Sequence, residues 1–253
     1  VKIGFVSPQT GPLAAFGEAD RFVLADVNKV LANGIKIGKK TYPVEILSRD
    51  SQSNPNRAAE VAAELILKHE VNMMIGSSSG TTVNPVSDQA EANEVPCVTA
   101  DTPWQIVYFG RGATPKKGFK WTYHFFWGID DMLGVFMNMW GMLGTNKKIA
   151  SLMVNDADGV VGGDPKRGFR PLMEGAGFNY NQPPLFQPGT TDFTAQISTF
   201  KKQGAEILTG IATPPDFSTF WIQAAQQGLT KQLKAATIAK ALLFPPAIEA
   251  LGE

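Results

Sequence analysis

The sequence predicts an α/β fold of two lobes, each a doubly wound parallel sheet, and three observations carry that reading. Short apolar runs closed by Gly, Ser or Asp alternate with helix-spaced stretches along the chain. The alternation runs twice, on either side of the aromatic segment Trp121-Thr122-Tyr123-His124-Phe125-Phe126-Trp127, with no internal repeat. The 253 residues, 43% hydrophobic and 18% charged, have the balance of a globular protein and suffice for two ordinary domains.

Residues 1–6 form a strand and Ser7-Pro8-Gln9-Thr10-Gly11-Pro12 a turn. Phe16, Val23, Val27, Val30 and Leu31 recur at helical intervals, which predicts a helix over 16–31. Ile35-Lys36-Ile37, bracketed by Asn33-Gly34 and Gly38-Lys39-Lys40, is a small hairpin-like piece, and 42–48 is the next strand. Asn54-Pro55 opens a helix running to about His69, with Ala58, Val61, Ala62, Leu65 and Ile66 inward.

Val71-Asn72-Met73-Met74-Ile75 is the central buried strand, and it ends in Gly76-Ser77-Ser78-Ser79-Gly80-Thr81-Thr82. Asn84 is expected to cap the following helix, with Pro85 at its first position. Pro96-Cys97-Val98-Thr99-Ala100 is another strand, leading into a loop of Asp101-Thr102-Pro103-Trp104. Ligands of open α/β sheets sit beyond the carboxyl ends of the strands, so these two loops are the expected wall of a pocket.

A basic surface loop, 110–118, leads to the aromatic segment, which is expected to contain a buried strand. The lobes are placed at 1–120 and 121–253, with crossings near 118–124 and near the C-terminus and a ligand cleft between them. The second series runs helix 132–143, strand 149–154, helix 165–174, strand 178–180, helix 192–202, strand 206–211, helix 216–227 and strand 234–239.

Lys plus Arg (23) equals Asp plus Glu (23), without a charged block, so neither nucleic acid nor an anionic membrane surface is implied as partner. No apolar run approaches the ~20 residues of a membrane span, and no signal peptide is visible ahead of the strand-like start, a pattern that a processed, exported protein and a cytosolic one share. One cysteine, Cys97, excludes an intrachain disulfide and reads as an inert buried thiol. Two histidines with it make a zinc site unexpected. No dinucleotide or Walker motif is present, so no cofactor is predicted.

Three stretches resemble a known family. Ile3-Gly4-Phe5-Val6-Ser7-Pro8-Gln9-Thr10-Gly11-Pro12-Leu13-Ala14-Ala15-Phe16-Gly17 resembles the start of mature solute-binding proteins of the branched-chain amino-acid type. So do Asp50-Ser51-Gln52-Ser53-Asn54-Pro55-Asn56-Arg57-Ala58-Ala59 and Asn84-Pro85-Val86-Ser87-Asp88-Gln89. The resemblance covers essentially the whole chain. It implies a type I periplasmic binding protein: two lobes on a hinge, an extracytoplasmic location, a monomer, and ABC permease subunits as partners. Similar proteins continue beyond the position of Glu253 with a return segment that completes the first lobe, and the resemblance leads to the expectation of such a segment after Glu253.

The resemblance also implies where a solute sits. Ser78, Ser79, Gly80 and Thr81 fall in the loop that holds a carboxylate, with a helix N-terminus to assist. Thr99, Asp101 and Trp104 fall in the second first-lobe loop, and Asp158, Thr213 and Lys240 in the second lobe. Lys240 stands where relatives place the acid that meets an amine, which points to a second anion instead. The expected solute is an amino acid or a carboxylate, aromatic bodies included.

Phe16, Trp104 and Trp127 are candidate aromatic walls, Phe16 and Trp104 as loop residues, with core packing the competing reading for Trp127. Asp156 and Asp158 read first as a turn with solvated carboxylates, since no calcium-loop spacing follows. Gly76-Ser77-Ser78-Ser79-Gly80 also matches the G-x-S-x-G elbow of a serine hydrolase, for which His124 would be the only downstream histidine. A cytoplasmic sensor of the same fold is the other alternative.

Overall fold

A computed structural model describes residues 1–114 and 116–252. Pro115 of the basic loop and the final Glu253 lie outside the described residues. The chain divides into two units, Val1–Phe126 and Trp127–Glu253.

The first unit runs β1 (Lys2–Ser7), a 3-10 turn (Ala14–Gly17), α1 (Asp20–Val30), β2 (Ile35–Ile37), β3 (Lys40–Tyr42), β4 (Glu45–Asp50), α2 (Pro55–Leu67), β5 (Met73–Ser77), α3 (Gly80–Ala92), β6 (Cys97–Ala100), α4 (Trp104–Gly110) and β7 (Thr122–His124). Its main sheet is parallel in the order β4-β1-β5-β6-β7, and β2 and β3 form a separate antiparallel hairpin. The winding reverses between β1 and β5, so the switch point lies beyond Ser7 and Ser77.

α2 shows how sequence sets an element here. The Asn54 side chain accepts hydrogen bonds from the N–H groups of Asn56 and Arg57, and Pro55 follows in the first turn. Ala58, Val61, Ala62, Leu65 and Ile66 are all buried, and they pack with Val6, Met74 and Cys97. Burial of each large apolar side chain in that set is worth about 1.5–3 kcal/mol.

Two first-unit expectations are corrected, the start of α3 and the burial of the strand in the aromatic segment. α3 begins at Gly80, not after Asn84: Ser79 caps it, and Pro85 and a buried Asn84 lie inside the helix. Burial of Thr82, Val83 and Val86 starts the helix earlier, and Asn84 Nδ2 donates to the Ile106 carbonyl at 3.3 Å. α1 is helical as its spacing predicts, yet no residue of it is buried, and Phe22 is 77% exposed. β7 hydrogen-bonds to β6 and belongs to the first sheet, and the first unit runs to Phe126. β7 is an edge strand, and Tyr123, Phe125 and Trp127 of the aromatic segment are exposed.

The second unit runs α5 (Ile129–Met142), β8 (Lys148–Met153), α6 (Ala157–Gly162), α7 (Phe169–Gly175), β9 (Asn179–Asn181), α8 (Thr194–Lys202), β10 (Ile207–Ala212), α9 (Pro214–Gln226), β11 (Ala235–Lys240) and α10 (Pro245–Glu249). Its parallel sheet has the order β11-β10-β8-β9, with the switch point between β8 and β10. The core packs Phe186, Phe193, Phe200 and Phe220 edge to face, with centroids 5.1–6.3 Å apart. α6 falls where the sequence suggests only a turn. Asp156 creates it, by accepting from the N–H groups of Asp158 and Gly159. No helix among the described residues is long and apolar enough to cross a membrane.

Candidate functional site

In each unit the candidate side chains gather at the carboxyl ends of the parallel strands. In the first unit Ser77 closes β5, and Ser78 and Ser79 follow at φ 66° and 68°. Asp101, just past β6, has φ 62°. Residues with side chains cost about 1–2 kcal/mol each in this left-handed region, a strain that concentrates at functional loops. Ser79 Oγ accepts from the Thr81 N–H at 3.3 Å, and Ser79 N–H donates to the Asp101 carbonyl at 3.4 Å. Ser77 Oγ donates to Asp101 Oδ2 at 3.0 Å and lies 3.0 Å from Ser78 Oγ. The two loops are thereby tied into one. Ser78, Ser79 and Gly80 are buried, whereas Asp101 is exposed.

Thr99 is fully buried beneath that loop, and its hydroxyl meets His124 Nδ1 at 2.8 Å. His124 Nε2 lies 2.8 Å from the Thr102 carbonyl, which can only accept, so the ring carries its proton on Nε2 and accepts from Thr99. Burial lowers the His124 pKa, although the Thr102 carbonyl and the Asp101 charge oppose the shift. Thr99 and His124 therefore support the loop, and the Thr99 hydroxyl proton is engaged by His124. His69, the other histidine, is held by Arg49 and Glu64. Ser78 has the strand–turn–helix setting of a nucleophile elbow, but both histidines are engaged elsewhere.

Phe16 and Trp104 are not in loops. Phe16 sits in the 3-10 turn, and Trp104 is the first residue of α4, 40% exposed, with Tyr108 and Phe109 at 6.0 and 5.8 Å between centroids. The turn carrying Phe16 follows a loop pinned by a residue that sequence reading missed. Asp50 accepts from the N–H groups of Gln9 (2.9 Å), Thr10 (3.2 Å) and Gln52 (2.7 Å), and from Thr10 Oγ1 (2.6 Å). Burial pushes the Asp50 pKa up, but these bonds outweigh it and leave the carboxyl below its usual value. Only its place in a family-like stretch could have singled Asp50 out.

The second unit corrects the sequence reading most. Lys240, at the end of β11 with φ 69° and 6% exposed, is no free cation. Its Nζ is 2.7 Å from Asp156 Oδ2 and also pairs with Asp158. Nor are the two acids solvated: the side chains of Asp156 and Asp158 are 14% and 2% exposed. Burial opposes the Lys240 charge, but Asp158 and Asp156 outweigh that and raise its pKa. Burial raises the Asp156 pKa, and the charge of Asp158 adds to the shift while Lys240 counters it. Fully ionised, two carboxylates and one ammonium sum to one negative charge. The second anion inferred from Lys240 loses its counter-charge.

Thr213 caps α9: its hydroxyl donates to Asp216 Oδ2 at 2.8 Å, and Asp216 Oδ1 accepts from the Gly189 N–H at 2.8 Å. That hydroxyl is committed to the cap. Trp127 opens the second unit ahead of α5, 41% exposed. The structure thus joins Ser78, Ser79, Gly80 and Asp101 in one cluster and Asp158 with Lys240 in another, while Thr99 and Thr213 turn inward. Among the described residues no group of His, Cys, Asp and Glu could hold a metal ion.

Two doubly wound parallel sheets with polar, strained loops at their switch points define a ligand-binding α/β protein. The chain belongs to the periplasmic binding protein family, whose model matches residues 1–253. It is similar to a leucine-binding protein from Thermotoga maritima, at 23% identity and a TM-score of 0.79 over 100% of this chain and 67% of that one. It is also similar to a solute-binding protein of an ABC transporter from Rhodopseudomonas palustris in complex with p-hydroxybenzoic acid, at 20% identity and a TM-score of 0.74 over 99% and 65%. A type 1 periplasmic binding protein from Bordetella pertussis matches at 23% identity and a TM-score of 0.77 over 100% and 65%. At these identities the likeness carries the fold, and the chain spans about two thirds of the length of each.

Proposed function

We propose that this chain is the solute-capturing part of an ABC importer working outside the cytoplasm, monomeric and handing its cargo to membrane permease subunits. The cargo is a small organic solute, an amino acid or a carboxylate, aromatic bodies included. The observation that carries the reading is the pair of switch-point loops: Ser78, Ser79 and Asp101 in one unit and Lys240 in the other hold their side chains at left-handed backbone. Membership of the family supports it, as do relatives named for leucine and for p-hydroxybenzoic acid. Ser78, Ser79, Gly80, Asp101, Phe16 and Trp104 are the contacts proposed for the first unit, and Asp158, Lys240 and Trp127 those for the second.

The test is thermal unfolding of the purified full-length protein against amino acids, aliphatic acids and aromatic acids. A ligand at a hundred times its Kd stabilises by about 2.7 kcal/mol, which raises the midpoint by several degrees. A panel in which no solute moves the midpoint at millimolar concentration overturns the reading. The Ser78 elbow supports a second reading, a serine hydrolase, which requires hydrolysis of an activated ester that disappears in Ser78→Ala.

A further inference from the structure

We propose that the outer face of α5 is a self-association surface, against which a second copy of this chain lays its own α5, antiparallel about a two-fold axis. The proposal goes beyond solute capture: the monomer of that reading is the form at low concentration, and pairing follows as concentration rises.

α5 turns Ile129, Leu133 and Trp140 inward, and all three are buried. At the α-helical repeat, the line opposite them is Asp131, Val135, Asn138 and Met142. Val135 is 67% and Met142 88% exposed, and Met139 and Leu143 are exposed beside them. The outer side of a surface helix ordinarily carries charged and polar residues. Here no charged residue occurs from Met132 to Asn146. Scattered exposed apolar side chains need no explanation, but a contiguous row of them marks an interaction surface.

Charge at the two ends of the helix identifies the occupant. Asp130 and Asp131 open α5 and are exposed, and the exposed Lys147 follows its far end. Lys147 Nζ lies 5.8 Å from the centre of the Phe178 ring, and that ring packs 5.6 Å from the ring of Trp140. The ammonium therefore stands close to the end of α5. An antiparallel copy sets the acids of each chain against the lysine of the other, twice over, and opposes the two helix dipoles. A parallel copy would set acid against acid.

The face is also complementary to itself in shape. A Cβ built on Gly134 or Gly141 would meet nothing within 4 Å, so an open notch runs beside the ridge of Val135, Met139 and Met142. The ridge of one copy fits the notch of the other, as an isologous interface requires. Asn138, midway along the face, brings both a donor and an acceptor, so its amide can pair with its own counterpart across the axis. One helix pair is less than the area of a stable interface, which makes this a weak, reversible pair.

The experiment is sedimentation velocity of the full-length protein from micromolar to millimolar concentration, with the variants Asp130→Lys and Lys147→Glu. Asp131 is left in place because its Oδ2 accepts from the Gly128 N–H and caps the helix. The wild type should sediment faster as concentration rises. Each variant alone should pair about tenfold more weakly, since it brings like charges together at both ends. An equimolar mixture of the two should recover the pairing, because every introduced charge then meets its opposite on the other chain. Recovery also shows that both variants are folded. A wild type that stays monomeric at millimolar concentration, variants that pair as the wild type does, or a mixture that fails to recover overturns the proposal and leaves solute capture untouched.

Discussion

Replacing Lys240 by methionine tests the second-unit cluster most directly. The change keeps length and most of the volume, and it strands two acids with side chains only 14% and 2% exposed. At the 2.7 Å separation of Lys240 Nζ and Asp156 Oδ2, an effective dielectric constant near 20 gives an attraction of about 6 kcal/mol. Desolvation of all three groups offsets much of it, so the expected loss is about 3–5 kcal/mol, the usual cost of orphaning a buried charge. Urea unfolding at pH 7, followed by far-ultraviolet circular dichroism, reads it as a lower midpoint. The triple variant Lys240→Met with Asp156→Asn and Asp158→Asn should recover most of the loss, because asparagine keeps the cap of α6.

The pH dependence supplies an independent check. A raised Asp156 pKa means that the native state holds its proton more tightly than the unfolded chain. Its contribution to stability therefore falls as pH climbs from the ordinary aspartate value through the raised one. Removing Lys240 takes away the group that counters this shift, so the deficit of the methionine variant should shrink on acidification from pH 8 to pH 5. For Lys240 itself the sign is opposite: its contribution is complete below the ordinary lysine value and disappears as pH passes its raised pKa. An unchanged midpoint in Lys240→Met, or a deficit that ignores pH, would refute the idea that this triad holds the strand ends.

Three further outcomes are expected. Burial raises the Cys97 thiol to about 12, so the native protein should resist iodoacetamide at pH 8 and react only once unfolded. His124 should titrate below ~6.5 in a proton NMR series; its contribution to stability is then complete above that value and is lost as pH falls through the lowered one. In Gly159→Ala the new Cβ would fall 1.8 Å from the Val154 carbonyl oxygen, displacing the start of α6. A melting experiment should show a loss above about 3 kcal/mol, and an intact midpoint would show that α6 can move freely.

Strand and helix order was legible because the apolar runs of β1, β5, β8 and β10 and the spacing in α2 are local signals. The error at α3 was also local. Asn-Pro reads as a helix start by propensity, yet the buried face of Thr82, Val83 and Val86 decided where the helix begins. At the candidate site the loops were legible and the partners were not. Lys240 and Asp156 are 84 residues apart, so nothing local says that the lysine is already neutralised.

The backbone at Ser78, Ser79, Asp101 and Lys240 has a bearing on how the protein could be re-engineered. Glycine would suit the conformations at Ser78 and Asp101 better, by roughly 1 kcal/mol apiece after the added freedom of the unfolded chain is deducted, whereas at Ser79 it would remove the cap of α3 and at Lys240 it would strand Asp156 and Asp158. A designer selecting for heat resistance alone would be drawn to Ser78 and Asp101 and would erase groups proposed to face the cargo. Hardiness and recognition are opposed there, residue by residue.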